Sequence, residues 1–228
     1  MIFITNNLSR FGQREFEIEL NLQEFAQADF DFLSAALKGM VEQGARFQED
    51  DLVQIGSVLC RIRATPDRLC LEEPDFQSFP INWVPGCSET MIRLRIQNYV
   101  ADSVGLRDSL DHPSIRQSAL TCDRLSATSG FHMERLAPNE PSDSGWAICC
   151  ANPQHAHIDS ETLATDSLYS ISLISPESFQ FLALPPGSAV TMNAGSFPRL
   201  ILNGNLLQVV QGSYLRKKYL RIRPGYGA

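Results

Sequence analysis

Two cysteines and two histidines lie within nine residues of one another, at Cys149, Cys150, His155 and His157. Thiolates and imidazoles are side chains that bind zinc in proteins. Neighbouring residues of a β-strand point to opposite faces, so Cys149 and Cys150 cannot both face one ion unless the strand bends. We therefore expect a core cysteine beside a surface loop that carries histidines, with no metal bound. A small enzyme with a cysteine or metal site at these residues stays open as the alternative.

No other stretch has the spacing of a catalytic or cofactor-binding motif. The sequence lacks a G-x-x-x-x-G-K-[ST] phosphate loop, a G-x-G-x-x-G dinucleotide turn, a G-x-S-x-G nucleophile turn and an H-E-x-x-H metal helix. The six cysteines are spread along the chain, which indicates reduced and mostly buried thiols. We expect no catalytic residues, no cofactor and no enzymatic activity.

Charge restricts the partners that the chain can bind. There are 26 acidic and 19 basic side chains, for a net charge of −7. Residues 1–110 hold 17 of the acidic and 10 of the basic ones, so this half carries the whole excess. A negative chain excludes a generally basic nucleic-acid binder and a protein that docks on anionic membranes. We expect no direct binding to nucleic acid or to a membrane.

The carboxylates of the first half suggest a protein partner with a basic cleft, because such a surface imitates phosphate and opposite potentials speed association. Trp83 stands between two prolines, as expected of an exposed apolar anchor. The predicted partner-binding residues are Glu49, Asp50, Asp51, Glu72, Glu73, Asp75 and Trp83. A solvated acidic face that only keeps the protein soluble is the alternative.

Hydrophobic periodicity predicts an α+β protein of two small domains, over residues 1–110 and 111–228. In the first, Glu15 to Leu20 alternate charged and apolar residues as a half-buried strand does, and a helix follows over residues 22–43. Asn21 is its expected N-cap, and Gly44 its stop.

The first domain continues with two strands and a second helix. Residues 52–64 and 68–71 indicate strands around a turn at residues 65–67. A helix is predicted to begin after Ser88 and to reach Val104. The first domain should therefore pack two helices on a short antiparallel sheet.

The second domain is predicted to be mostly antiparallel β. Asn203-Gly204 indicates a hairpin turn, and the basic tail from Leu215 is expected to dock on its own domain. The predicted strands cover residues 119–127, 131–136, 146–151, 169–174, 179–184, 189–193, 199–202 and 206–210.

Three stretches of the second half resemble the bacterial immunity protein 33 family. They are Phe131-His132-Met133-Glu134-Arg135, Asp143-Ser144-Gly145-Trp146-Ala147-Ile148 and Leu184-Pro185-Pro186-Gly187-Ser188. The first half is similar to a module of the same class of bacterial proteins. The resemblance implies a protein that protects its own cell from a secreted toxin, and it supplies no catalytic residues.

We therefore expect a cytosolic immunity protein that neutralises an antibacterial toxin, such as a type VI secretion effector, by stoichiometric binding. The first residues of this chain show no signal-peptide pattern, and the sequence contains no apolar run of about 18 residues. Both observations favour a cytoplasmic location for this protein. A nuclease is the preferred target, because a nucleic-acid cleft is basic. An adaptor of a secretion system is the further alternative.

Overall fold

The computed structural model describes residues 1–21, 26–127, 130–155, 157 and 162–220. The chain forms two compact units, Met1–Ile92 and Arg93–Ala228. Each unit contains one mostly antiparallel sheet with few helices, which confirms the predicted α+β class with two small domains. None of the described helices combines the length and the apolar character that a membrane crossing requires.

The first unit is built on a six-stranded sheet in the order β1-β2-β5-β4-β3, with β6 paired to β5. All of its strand pairs are antiparallel except β2 with β5. The strands are β1 (Ile2–Ile4), β2 (Phe16–Glu19), β3 (Leu52–Ile55), β4 (Val58–Ala64), β5 (Leu69–Pro74) and β6 (Trp83–Pro85). The helices are α1 (Ala26–Glu42) and α2 (Ser88–Ser103), which begins in this unit.

The alternating residues of β2 and the apolar stripe of α1 supply the core of this unit. Phe16 and Ile18 of β2 are fully buried, and so is Leu33 of α1. The rings of Phe3 and Phe30 stack with centroids 4.9 Å apart, so α1 packs against the sheet. The start of the predicted helix, over residues 22–25, lies outside the described residues.

The predicted strand over residues 52–64 is wrong as a single element. Gly56 adopts a positive φ of 60°, and Ile55 pairs with Val58, so the segment folds back as the hairpin of β3 and β4. The predicted turn after it is confirmed, since the Thr65 amide donates to the Arg68 carbonyl at 2.8 Å. The second helix has its predicted bounds to within a residue.

The second unit contains a seven-stranded sheet in the order β10-β7-β9-β8-β11-β12-β13. Its pairs are antiparallel except β7 with β9. The strands are β7 (Ser118–Cys122), β8 (Phe131–Arg135), β9 (Asp143–Cys150), β10 (Leu163–Ser167), β11 (Ser188–Met192), β12 (Arg199–Leu202) and β13 (Asn205–Leu206). Its short helices are α3 (Leu168–Ile174) and α4 (Tyr214–Leu220).

Two predicted strands of this unit are helical instead. Residues 169–174 belong to α3, whose N-cap Ser167 accepts a hydrogen bond from the Ser170 amide. Most of the predicted strand at 179–184 lies in a 3-10 helix, Pro176–Phe181, and in the turn after it. Both segments are apolar because they are buried, and a short buried helix has no clear period to tell it from a strand.

The basic tail docks on its own unit, as predicted. Leu215 is fully buried in α4, and the Tyr219 hydroxyl accepts a hydrogen bond from Gln180 Nε2 at 3.0 Å. The Leu215 amide donates to Ser103 Oγ at 3.2 Å. The last two arginines of the tail, Arg221 and Arg223, lie outside the described residues.

Candidate functional site

The first predicted acidic cluster lies in the loop before β3. Glu49 and Asp50 are exposed, and Asp51 is half-buried. The backbone of Asp50 and Asp51 pairs with Ile62, at 2.8 Å in each direction, so the loop extends the edge of β4. The Asp51 carboxylate accepts from the Gln48 amide at 2.8 Å, and Glu49 accepts from the Ala64 amide. The cluster therefore offers Glu49 and Asp50 to solvent while it also shapes its own loop.

Arg61 brings together three of the predicted residues. Its guanidinium donates to Glu72 Oε2 through Nε at 3.0 Å, faces Asp50 at 3.8 Å and lies 5.4 Å from the centre of the Trp83 ring. Arg63 Nε also donates to Glu72, at 3.0 Å. Because two arginines surround the Glu72 carboxylate, this residue adds little negative potential to the surface.

Glu73 and Asp75 have roles inside the first unit. The Glu73 side chain accepts from the amides of Glu89 and Thr90, at 3.0 and 2.6 Å, and so caps the first turn of α2. Burial raises the pKa of Glu73, although these two hydrogen bonds oppose the change. Asp75 accepts from the Gln77 amide at 3.0 Å, and hydrogen bonds within this turn lower the pKa of Asp75 to about 2.

The expected exposure of the acidic residues is therefore corrected for two of them. Glu72 and Glu73 are each only 5% exposed. Both belong to β5, which is central in the sheet and buried along its whole length, so their carboxylates are satisfied inside the protein. Partner binding stays a prediction for all seven residues, Glu49, Asp50, Asp51, Glu72, Glu73, Asp75 and the half-buried Trp83.

In the second unit, the three stretches that carried the family resemblance meet at one buried arginine. Arg135, at the end of β8, donates to the carbonyls of Leu184 and Asp111, both at 2.7 Å, and to the Ser144 carbonyl at 3.2 Å. It also pairs with the Asp111 carboxylate at 3.1 Å. The guanidinium lies 5.7 Å from the centre of the buried Trp146 ring. These motifs therefore specify packing rather than a reaction.

The D-S-G-W segment forms a turn that only glycine can make. Gly145 has a φ of +75°, and a Cβ there would lie 2.1 Å from the Leu136 carbonyl oxygen. Asp143 accepts from the amides of Gly145 and Asn139, at 2.8 and 3.1 Å. The turn therefore holds the loop of residues 136–143 close to the start of β9.

This loop forms one wall of a groove with a volume of about 390 Å³. The strands β7, β8, β9 and β10 supply the rest of its lining. Leu120 and Leu136 are 47% and 66% exposed there, which is unusual for leucine. Three carboxylates, of Glu134, Glu140 and Asp143, line the groove, and none of its described lining residues is a lysine or an arginine.

The groove belongs to an exposed face of the seven-stranded sheet. Residues that pair across adjacent strands point to the same face, and one such row crosses the whole sheet with exposed or half-buried side chains. The row consists of Thr165, Leu120, Ala147, Glu134, Ala189, Ile201 and Leu206. The neighbouring row, which includes Met133, Ile148 and Val190, is buried. The sheet therefore covers its core on one side and exposes this largely apolar row on the other.

Cysteine and histidine residues gather at the far ends of β7 and β9. One ligand atom from each of Cys122, Cys150, His155 and His157 lies within 4.8 Å of the other three. Cys150 Sγ is 3.2 Å from His155 Nδ1 and 3.4 Å from His157 Nε2. Burial, and then the neighbouring His155, lower the pKa of His157, which favours the neutral imidazole.

The sequence pointed to the right loop but to the wrong second cysteine. Cys149 is not in the cluster, and burial raises the pKa of its thiol to about 12. Cys122 takes its place, although it is 28 residues from Cys150 in sequence. The only signal for it is the parallel pairing of β7 with β9, which sequence reasoning did not anticipate. All six cysteines lie in described ranges and are free and buried, as predicted.

The comparison with protein families gives one match, to the Imm33-like domain, over residues 97–199. The matched range includes Arg135, the D-S-G-W turn, the groove and the cysteine–histidine cluster. No curated protein and no solved structure shows a significant match to the chain. The match confirms the resemblance of the second half to immunity protein 33 and indicates an immunity protein in general.

Proposed function

We propose that this chain is an immunity protein that neutralises a cognate antibacterial toxin by binding it one to one in the cytosol. The groove of the second unit is the surface that contacts the toxin. The observation that carries this proposal is the combination, inside the Imm33-like range, of exposed Leu120 and Leu136 with the carboxylates of Glu134, Glu140 and Asp143. Inhibition results from binding alone, without catalysis by this chain.

The groove has the features that a protein partner requires. Stable protein complexes bury about 1,200–2,000 Å² in total, with apolar anchors at the centre and charges at the rim. Here the exposed leucines offer the apolar centre, and the apolar row of the sheet extends it in both directions. Glu134 and Glu140 are exposed beside it, where they can pair with basic side chains.

A nuclease toxin fits this surface best. Such an enzyme presents a basic cleft for nucleic acid, and the groove offers three carboxylates with no described basic side chain among its lining. The carboxylates then occupy positions that phosphates take in the substrate. Opposite potentials also speed the encounter, which favours capture of the toxin before it reaches its substrate.

A co-expression experiment tests the function and the surface together. The toxin encoded by the neighbouring open reading frame is expressed in bacteria with this chain or with its Glu134→Lys/Glu140→Lys variant. The original chain should restore growth, and the charge reversal should weaken toxin binding about tenfold or more, because it replaces attraction by repulsion at the rim. Growth and the dissociation constant of the purified pair are the two measurements.

Two control variants locate the contact. Asp108→Lys changes an exposed carboxylate of the same unit outside the groove and should leave binding unchanged. Glu49→Gln/Asp50→Asn removes the two exposed charges of the first acidic cluster, and asparagine tolerates the positive φ of 63° at Asp50. If this pair weakened binding while the groove variant did not, the contact would lie in the first unit. An adaptor of a secretion system would bind its partner without restoring growth.

A further inference from the structure

We propose that Cys122, Cys150, His155 and His157 bind one zinc ion, which holds the segment after β9 to the ends of β7 and β9. The two thiolates and two imidazoles form a complete ligand set from within the second unit. The proposal goes beyond toxin neutralisation and does not depend on it.

The distances in the cluster agree with a tetrahedral site. Zinc bonds of about 2.3 Å to sulfur and about 2.0 Å to nitrogen place the ligand atoms about 3.3–3.8 Å apart. The distances from Cys150 Sγ to His155 Nδ1 and His157 Nε2, 3.2 and 3.4 Å, are close to this range. No two of the ligand atoms are more than 4.8 Å apart, so the most distant pair would approach by about 1.0–1.5 Å on binding.

Groups around the cluster already orient two of the ligands. His155 turns Nδ1 to the cluster, while its Nε2 lies 3.3 Å from Asp123 Oδ1. A carboxylate on the outer nitrogen of a histidine ligand is a common feature of zinc sites, because it fixes the ring and raises its basicity. The Cys150 amide donates to Cys122 Sγ at 3.2 Å, a contact that fixes the position of this sulfur.

The ligand types select zinc and a structural role. Two thiolates and two imidazoles in tetrahedral arrangement suit zinc better than calcium or magnesium, which prefer oxygen ligands. Four protein ligands leave no open coordination position for water or substrate. Zinc binding releases the two thiol protons to solvent, and each sulfur then forms a bond to the metal. The cluster therefore has the chemistry of a structural ion and not of an active site.

Metal analysis of the purified full chain tests the proposal. We expect about one zinc per chain, and tetrahedral cobalt absorption with thiolate charge transfer when cobalt replaces zinc. Cys122→Ser and His157→Asn should each remove the bound zinc, whereas Cys149→Ser, next to a ligand on the same strand, should retain it. Asp123→Asn should keep the stoichiometry and weaken zinc affinity about 10- to 100-fold, because it removes the partner of His155.

Several results would overturn the proposal. One such result is that the purified protein contains almost no zinc and that the reduced, chelator-treated protein takes up none when zinc alone is added. Another is equal zinc loss in Cys122→Ser and Cys149→Ser. If a ligand variant fails to fold, the proposal is tested by titrating the original chain with a chelator. Removal of zinc must then lower the unfolding temperature of the original chain. Growth rescue is measured in parallel, so failure of the zinc site and failure of toxin neutralisation remain distinct.

Discussion

Gly145 is the residue whose replacement tests the turn beneath the groove most directly. Alanine there must adopt a φ of +75° and place its Cβ against the Leu136 carbonyl oxygen. We expect Gly145→Ala to lower the free energy of unfolding by about 3 kcal/mol, because left-handed strain of about 1–2 kcal/mol adds to the steric clash. Urea denaturation followed by the fluorescence of Trp146, in a chain that also carries Trp83→Phe, measures the change in the second unit.

Gly195 offers the matched control for this prediction. It has a φ of +66°, but a Cβ there meets no atom within 4 Å. Gly195→Ala should therefore cost only the strain, about 1–2 kcal/mol. Equal losses for the two variants would show that the close approach of Leu136 to Gly145 does not matter for stability.

Sequence alone identified several residues of the candidate site but not their surroundings. The D-S-G-W segment was identified from the sequence by its family resemblance, and the structure shows that it forms a tight turn before the buried Trp146. The adjacent acidic residues Glu72 and Glu73 suggested an exposed surface. In the structure Glu72 is buried beside two arginines and Glu73 is buried at the start of α2, and neither environment can be recognised from the local sequence. Burial depends on the position of β5 in the sheet, which no local pattern states.

At the scale of elements, α2 depends on Glu73 for the hydrogen bonds of its first turn. Burial raises the pKa of Glu73 above its ordinary value of 4.5. The folded protein therefore holds this proton more tightly than the unfolded chain, and the free energy of unfolding falls as pH rises from 4.5 through the raised pKa. Well below pH 4.5 the Glu73 carboxyl group is protonated in both the folded and the unfolded protein, so this loss of stability disappears.

Glu73→Gln removes this titration while it keeps one hydrogen-bond acceptor at the helix end. We expect the stability of the original chain, relative to the variant, to decrease with rising pH across the window above 4.5. Urea denaturation at several pH values, followed by the fluorescence of Trp83 in chains that also carry Trp146→Phe, reports the first unit. A difference that does not change with pH would contradict a buried carboxyl group that titrates in the folded protein.

Elements with a long, clear period were predictable, and short buried ones were not. The apolar stripe of α1 predicted the first helix, and the segment from Ser88 to Val104 predicted the second. The alternation of apolar and polar residues predicted β2, β8 and β11. The apolar residues of α3 carry no period over only seven residues, so they resembled a strand. The strands β1 and β6 were missed because each has only three residues. β10 was missed because its sequence, LATDS, has no alternating apolar residues, and its conformation comes from pairing with β7.

For the whole molecule, the net charge of −7 matters less than where carboxylates reach solvent. The first half carries the excess in the sequence, but Glu72 and Glu73 are buried there. The second half is neutral overall, yet its groove is lined by three carboxylates. Counting charges along the sequence therefore predicted an acidic surface only in the first half. The fold also places an acidic surface, the groove, in the second half.

The charge of the groove predicts a strong salt dependence of toxin binding. The association rate constant with a basic toxin should fall about tenfold or more from low to physiological ionic strength, because screening weakens long-range attraction. Stopped-flow measurements at several salt concentrations give the slope. Glu134→Lys/Glu140→Lys should reduce the slope, and Asp108→Lys should reduce it much less. A rate that does not change with salt would favour an apolar contact without electrostatic steering.

The exposed apolar row has a consequence for the free protein. An exposed apolar sheet face is also a face through which two copies can associate. β10 is an edge strand of the same sheet, and edge strands can pair with a second chain. Mutual repulsion between negatively charged copies opposes this self-association. The same excess of carboxylates therefore keeps the free protein dispersed, and that protection weakens as the pH approaches the isoelectric point near 5.1.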